Sequence, residues 1–304
     1  MAKISNHEIV SKMHPFGITS LRWFVIGCGL LLFLSVFKFD NVLIATFAYG
    51  NFGILVSFFG FGFTKADPNV MIPEQVRLRG FLLGLMFSIG ILIFKGETYQ
   101  NFGIYLCFLS FFHFSEFFCT AVTNPTTLDI QSFLIDHSKE YGIGVAATLL
   151  EYFAECYFFS GLKNSNYSIG EGALTCILGE LIRKGAMITL WNDFTHLLRH
   201  KKVDGHRLKT NGLYSYFRHP SYAGALFWFL GLQTILCNPI CFVVYGIGIS
   251  RLFAQRIYYE ESCLIEFFPE YVQYQKRVPN TGVPFAYGCL DSRAKLGGKR
   301  QHRN

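Results

Sequence analysis

Charge is scarce in this sequence: Asp, Glu, Lys and Arg make up 15% of 304 residues, where a soluble domain carries about a quarter. A water-exposed globule of this length is therefore excluded. No Gly-x-Gly-x-x-Gly follows a strand pattern, and neither a Walker loop nor His-Glu-x-x-His occurs. That leaves no room for a dinucleotide fold, a P-loop ATPase or that class of zinc site. The nine cysteines contain no Cys-x-x-Cys pair and mostly sit inside apolar runs, so they read as small buried hydrophobes rather than a disulfide frame or a metal cage. The polar lead, with Lys3, Glu8 and Lys12, is too mixed for a signal peptide. There is no low-complexity linker and no internal repeat.

What is present is apolar residues in long runs, 51% of the chain with 17% aromatic. Candidate spans are Thr19–Phe37, Asn41–Phe63, Gly80–Phe94, Asn101–Val122, Gly142–Leu162, Gly172–Trp191, Tyr222–Leu236 and Pro239–Gln255. About 20 apolar residues cross a ~30 Å hydrocarbon core, so the longer runs qualify outright. The last two runs are only about 15–17 residues each and flank Asn238-Pro239, which predicts a tight helical hairpin that barely traverses the bilayer or stops inside it. The expected fold is an all-α polytopic membrane protein of about eight transmembrane helices. It reads as a single domain over 1–304: mainly membrane helices in 1–165, a functional region in 192–285 and a basic tail in 286–304.

Orientation follows from the basic residues. The stretch between the sixth and seventh spans holds Arg199, Lys201, Lys202, Arg207, Lys209 and Arg218 against Asp193 and Asp204, 6 − 2 = +4. The tail carries Arg293, Lys295, Lys299, Arg300 and Arg303, whereas the opposite loops hold only Lys38 and Asp40, Lys95 and Glu97, and Lys163 and Glu171. Both termini are expected in the cytosol. The net charge of +7 then reflects orientation and attraction to anionic membrane lipid rather than nucleic acid.

Within the spans, Glu151 and Glu155 share a helix face, as do Glu180, Arg183 and Lys184. Either they pair to fix helix packing, or they line a water-filled approach to a cytosolic site. The glycines of the second span (Gly50, Gly53, Gly60, Gly62) suit close helix contact. A polar loop from Thr123 to Tyr141 holds Ser132, His137 and Glu140.

The densest polar signal runs from His206 to Phe285. Pro220, after Arg218-His219, breaks any preceding helix and starts the next, presenting first-turn N–H groups as an anion site. Arg256 and Glu260 are four apart, hence on one face of the helix leaving the hairpin, and expected as a pair. That helix returns to a loop crowded with His206, Tyr214, His219 and Tyr222. An Arg fork matches a carboxylate, and a Glu matches an ammonium or sulfonium, so the site suits one anionic and one cationic ligand together.

These residues carry a resemblance. Arg218-His219-Pro220-Ser221-Tyr222-x-Gly224, then Trp228, Gly231, Gln233, Asn238-Pro239, Glu260-Glu261, Phe267-Phe268, Tyr271, Tyr274 and Gly282-Val283-Pro284-Phe285 resemble the isoprenylcysteine carboxyl methyltransferases. The C-terminal motif is shared with phospholipid methyltransferases and some sterol reductases. The upstream Val122-Thr123-Asn124-Pro125, Ser132-Phe133-Leu134, His137-Ser138 and Glu140-Tyr141 narrow it to the animal type.

The resemblance implies a multi-pass endoplasmic-reticulum enzyme that uses S-adenosylmethionine to methylate the C-terminal carboxylate of farnesyl- or geranylgeranyl-cysteine. Its substrates would be C-a-a-X-processed proteins such as small GTPases. Carried over residue by residue, it implies that His206, Arg207, Leu208, Lys209, Tyr214, His219, Pro220, Ser221, Tyr222 and Glu260 meet the cofactor. Arg256 then orients the substrate, and Arg256 and Glu260 are the catalytic pair. Arg199 stands where the family has a neutral glutamine, so it is left out of the site. A C-terminal carboxylate, with a pKa of about 3.5, is ionised at neutral pH. The chemistry therefore needs no general base and no metal, only alignment and exclusion of water. The alternative is a phospholipid N-methyltransferase, which shares the cofactor motif but attacks with an amine.

Overall fold

Pro15, Pro73, Pro220 and Pro239 each stand at the first residue of a helix, where a missing N–H costs nothing and the fixed φ is already helical. The computed structural model describes residues 13–36, 73–96, 98–135, 138–159, 161, 163, 166–198, 201–202 and 205–289. Its α-helices are α1 (Pro15–Val36), α2 (Pro73–Lys95), α3 (Gln100–Thr123), α4 (Lys139–Phe158), α5 (Asn166–Leu190), α6 (Pro220–Leu236), α7 (Pro239–Phe267) and α8 (Tyr271–Arg277). No strand occurs among the described residues. The expected second span at Asn41–Phe63, His137, Arg199, Asp204 and the tail from 290 lie outside them.

Among the described residues, four helices are long and apolar enough to cross a membrane: Pro15–Phe33 within α1, then α2, α3 and α7. One expectation is corrected here. The hairpin is not two short arms: α6 has 17 residues and α7 has 29, or about 44 Å at ~1.5 Å per residue. The apolar run stops at Gln255, but the backbone ladder does not, because Arg256, Glu260 and Glu261 are good helix formers. The large apolar side chains Val243, Val244, Ile247 and Leu252 on α7 are about half exposed, as are Leu174, Leu178 and Leu181 on α5. Apolar faces this continuous are stable against lipid rather than water.

The chain divides into two compact units, one of residues 1–176 with 230–242, the other of residues 177–229 with 243–304. In the first unit α1 and α2 touch backbone to backbone. A Cβ on Gly27 or Gly84 would run into the facing main chain, the close approach that small residues permit between helices in lipid. Phe24 stacks on Phe114 at 4.1 Å, and Phe117 on Phe133 at 4.0 Å. The polar segment after α3 is tucked under it: His113 on α3 reaches the Phe133 carbonyl at 2.8 Å through Nδ1 and the Tyr141 hydroxyl at 2.7 Å through Nε2.

The turn Cys237-Asn238 between α6 and α7 is clamped by charge within the same unit. The Lys163 ammonium, 3% exposed, donates to Glu155 Oε2 at 2.5 Å, to the Leu236 and Cys237 carbonyls at 2.8 Å each, and to Asn238 Oδ1 at 2.9 Å. The Glu151 carboxylate accepts the amides of Ile240 and Cys241 at 2.7 Å each. A cation thus closes the carbonyl end of α6 and an anion the amide end of α7, as the helix dipoles demand. Glu151 and Glu155 therefore serve helix ends and an ion pair. Lys163, read from sequence as a bland loop charge, is a buried anchor.

In the second unit, Gly179 on α5 and Gly224 on α6 meet so closely that a Cβ on Gly224 would lie 2.6 Å from the Gly179 carbonyl oxygen and 2.6 Å from the Arg183 amide. Lys184 pairs with Glu180 at 3.4 Å. Arg183 instead donates to Ser221, to Oγ at 3.1 Å and to the carbonyl at 3.3 Å. Ile265, Phe268, Tyr271, Tyr274, Val278 and Cys289 form a small apolar core under α8.

Candidate active site

The second unit gathers most of the polar residues singled out by sequence. Arg218 and His219 run extended beside residues 280–281, their amides donating to the Asn280 and Thr281 carbonyls at 3.0 and 3.1 Å. Pro220 then starts α6. The amides of Tyr222 and Ala223 turn back onto the His219 carbonyl at 3.1 and 3.2 Å, so the anion site expected at this helix start is not open at those two groups. The Arg218 side chain is fully engaged: Nε meets Glu261 Oε1 at 2.7 Å, Nη1 the Val278 and Pro279 carbonyls at 2.8 and 2.6 Å, and Nη2 the Tyr287 carbonyl at 3.1 Å. It is a strut.

Glu261 is the group that sequence reasoning quoted but did not use. Its side chain is completely buried. Oε1 accepts from Arg218 Nε at 2.7 Å, Tyr271 Oη at 3.0 Å and His219 Nε2 at 3.0 Å. Oε2 accepts from Gln275 Nε2 and the Cys289 amide at 2.8 Å each. Gly288, with φ +77°, carries the chain past this carboxylate where a Cβ would collide with it. The signal was available: adjacent glutamates on a helix are about 100° apart around the axis, so Glu260 and Glu261 cannot both face one ligand.

Glu260 and Arg256 lie one turn apart on α7, and what joins them is Tyr222. Its hydroxyl donates to Glu260 Oε2 at 2.9 Å, and the Arg256 guanidinium lies over its ring, 5.9 Å from the centroid. Phe253 packs on the same ring at 5.0 Å. Arg256 Nη2 donates to the His196 carbonyl at 3.0 Å, while its buried Nε has no partner among the described residues. His219 Nδ1 stands 3.8 Å from Glu260 Oε1. Tyr214 is buried nearby and its carbonyl accepts the Tyr274 hydroxyl at 2.6 Å. Burial, then the charge of Glu260, pushes the Tyr214 phenol well above its ordinary pKa, which keeps it a neutral donor. Tyr271 behaves likewise through burial and the charge of Glu261.

The stretch His206–Lys209 lies at the far end of α7. His206 stands edge-on to Phe268 at 5.0 Å, and Leu208 packs on the apolar core there. Arg207 is exposed and Lys209 half-buried. Ser221 is occupied by Arg183. The structure thus brings His219, Tyr222, Arg256 and Glu260 into one cluster with Tyr214 beside it, and sets His206–Lys209 about two turns further along the same helix.

Such a cluster presents a cation with a spare buried N–H over an aromatic ring and a carboxylate at the hydroxyl of that ring. The chain is similar to known proteins. Residues 172–266 match the isoprenylcysteine carboxyl methyltransferase family. The chain is 44% identical over 216 residues to the human protein-S-isoprenylcysteine O-methyltransferase, covering 70% of this chain and 76% of that one. It is 38% identical over 280 residues to the Tribolium castaneum protein of the same name, covering 91% and 96%. A solved structure of the eukaryotic intramembrane Ras methyltransferase, an isoprenylcysteine carboxyl methyltransferase, superposes with a TM-score of 0.80 at 33% identity, over 90% of this chain and 99% of that one.

Proposed function

The chain belongs to the isoprenylcysteine carboxyl methyltransferase family and is a membrane enzyme that methylates prenylated cysteine; we propose that its methyl donor is S-adenosylmethionine, that Arg256 orients the substrate carboxylate and that Glu260 holds the cationic end of the donor. The observation that carries this reading is the arrangement around Tyr222: a guanidinium with a buried, unpartnered Nε over its ring, a carboxylate at its hydroxyl. Two ligands of opposite sign fit there, as an α-carboxylate and a sulfonium-bearing amino acid require. Nothing in the comparisons supports the amine-methylating alternative, a phospholipid N-methyltransferase.

When bound, S-adenosylmethionine supplies a methyl group activated by its sulfonium. The chain itself must do three things. Arg256 aims a carboxylate that is already ionised. Tyr222 links Arg256 and Glu260, donating to Glu260 and lying under the Arg256 guanidinium. The apolar packing of Phe253 and the buried Tyr214 keep water from this side of the cluster. Pro220 and Ser221 shape the cofactor pocket from the start of α6, Tyr214 from the turn before it, and His206, Arg207, Leu208 and Lys209 from beside the end of α7. The substrates we propose are C-a-a-X-processed prenyl proteins such as small GTPases, met at the endoplasmic reticulum with both termini of the chain in the cytosol. The lipid chain enters from the bilayer, each buried CH₂ contributing about 0.8 kcal/mol.

Kinetic separation of the two charges tests the reading. With purified protein, labelled S-adenosylmethionine and N-acetyl-farnesylcysteine, Arg256→Ala is expected to lose turnover while still binding S-adenosylhomocysteine. Glu260→Ala is expected to lose that binding. Equal S-adenosylhomocysteine affinity in wild type and Glu260→Ala would refute the assignment of Glu260.

A further inference from the structure

Glu261 touches neither Arg256 nor Glu260, yet it dictates the chemistry of the ring beside them. A carboxylate offers about four lone-pair sites. Glu261 receives Arg218 Nε, Tyr271 Oη and His219 Nε2 on one oxygen, and Gln275 Nε2 and the Cys289 amide on the other. It is saturated with donors and paired with the Arg218 guanidinium, so it has no proton to give. His219 Nε2, 3.0 Å away, must therefore carry the hydrogen of that bond. In a neutral imidazole the other nitrogen is then a bare acceptor. That nitrogen, Nδ1, stands 3.8 Å from Glu260 Oε1. The distance is too long for a hydrogen bond and short enough for one donor nitrogen to serve both acceptors. Charge leads to the same arrangement: Arg218 cancels Glu261, which leaves Glu260 as the anion facing that space.

We propose that Glu261 is a positioning residue that forces the Nε2–H tautomer on His219, so that His219 Nδ1 and the Glu260 carboxylate form a two-acceptor cradle for the α-ammonium group of the cofactor. This rests on the reading that Glu260 holds the amino end of S-adenosylmethionine, and it adds the second acceptor and the reason it is one. The cradle selects a primary ammonium, with hydrogens to give in two directions, over a quaternary headgroup that has none.

The test uses the full chain in phosphatidylcholine nanodiscs and two probes measured by calorimetry, S-adenosylhomocysteine and 5′-methylthioadenosine, which shares the nucleoside and sulfur but lacks the amino-acid end. Asn places an acceptor near the position of His Nδ1, and Gln places a donor near Nε2. His219→Asn is therefore expected to bind S-adenosylhomocysteine within about threefold of wild type. His219→Gln is expected to lose about tenfold or more, the worth of one charge-assisted bond. Glu261→Gln, whose amide both donates and accepts, no longer dictates the tautomer and is expected to lose several-fold. All three are expected to weaken 5′-methylthioadenosine less than S-adenosylhomocysteine, a difference that a general loss of the fold would not produce. Adding Glu261→Gln to His219→Asn is expected to cost nothing further, because the effect of Glu261 passes through His219. Equal weakening of both probes by Glu261→Gln, or an undiminished loss in the His219→Asn background, would overturn the proposal. Glu260→Ala separates the two levels. If it binds S-adenosylhomocysteine like wild type, the cofactor reading itself fails; if it weakens while Glu261→Gln and His219→Gln do not, only the cradle fails.

Discussion

Replacing Lys163 by Met keeps most of its volume and removes its charge, and the structure sets the cost. The ammonium is 3% exposed and its partner Glu155 is 15% exposed, so the variant leaves a largely buried carboxylate without a counter-ion. It also strips the Leu236 and Cys237 carbonyls and Asn238 Oδ1 of their shared donor. Breaking a buried pair from one side costs about 3–5 kcal/mol, a large share of the ~5–15 kcal/mol that holds a fold together. Unfolding entropy of about 2.1 cal/mol/K per residue, over 304 residues, is about 0.6 kcal/mol per kelvin. The melting midpoint of Lys163→Met in detergent is therefore expected to fall by about 5–8 °C. Adding Glu155→Gln removes the stranded charge, and the double variant is expected to recover a substantial part of the loss. A midpoint within about a degree of wild type for Lys163→Met, or a double variant that is worse than the single, would refute the view that this clamp is a fully engaged ion pair.

Gly224→Ala places a methyl against the Gly179 carbonyl and the Arg183 amide at 2.6 Å; since backbone and not a flexible side chain must yield, a loss of about 3 kcal/mol or more is expected, read as a lower midpoint and a smaller folded yield. Tyr222→Phe deletes the hydroxyl that donates to Glu260 at 2.9 Å, and S-adenosylhomocysteine affinity is expected to fall about tenfold to hundredfold, the range for a bond to a charged acceptor; unchanged affinity would remove Tyr222 from the site. The rate of farnesylcysteine methylation is expected to stay nearly flat from about pH 6 to 8, because the attacking carboxylate titrates near pH 3.5. A tenfold rise per pH unit that survives His206→Gln and His219→Gln would indicate an amine nucleophile instead.

The apolar runs made α1, α2 and α3 legible, and the proline positions gave the starts of α6 and α7. The Arg256/Glu260 spacing carried α7 beyond its apolar run but not to its end at Phe267, because hydropathy falls at Arg256 while helix propensity does not. Lys163 and Glu151 act on groups 73 to 90 residues away, and no local pattern announces such a partner. The Arg-His-Pro-Ser-Tyr run and the Arg256/Glu260 spacing located the cluster, since both depend on short-range geometry alone. Tyr222 as the piece between Arg256 and Glu260, and Glu261 as the acceptor behind His219, required the helices to be set side by side.

The carboxylate of Glu261 also orders events in time. Arg218 lies 43 residues before it and the Cys289 amide 28 residues after it, and Arg218 itself reaches the Tyr287 carbonyl. None of these bonds is local, so each waits until both of its partners have been made. A chain that has reached Glu261 but not Cys289 can pair Arg218 with Glu261 while the Cys289 amide is still missing. The carboxylate thus gathers its partners from segments made at different times, and the full set of bonds behind His219 is complete only when residues 218, 261 and 289 have all been synthesised.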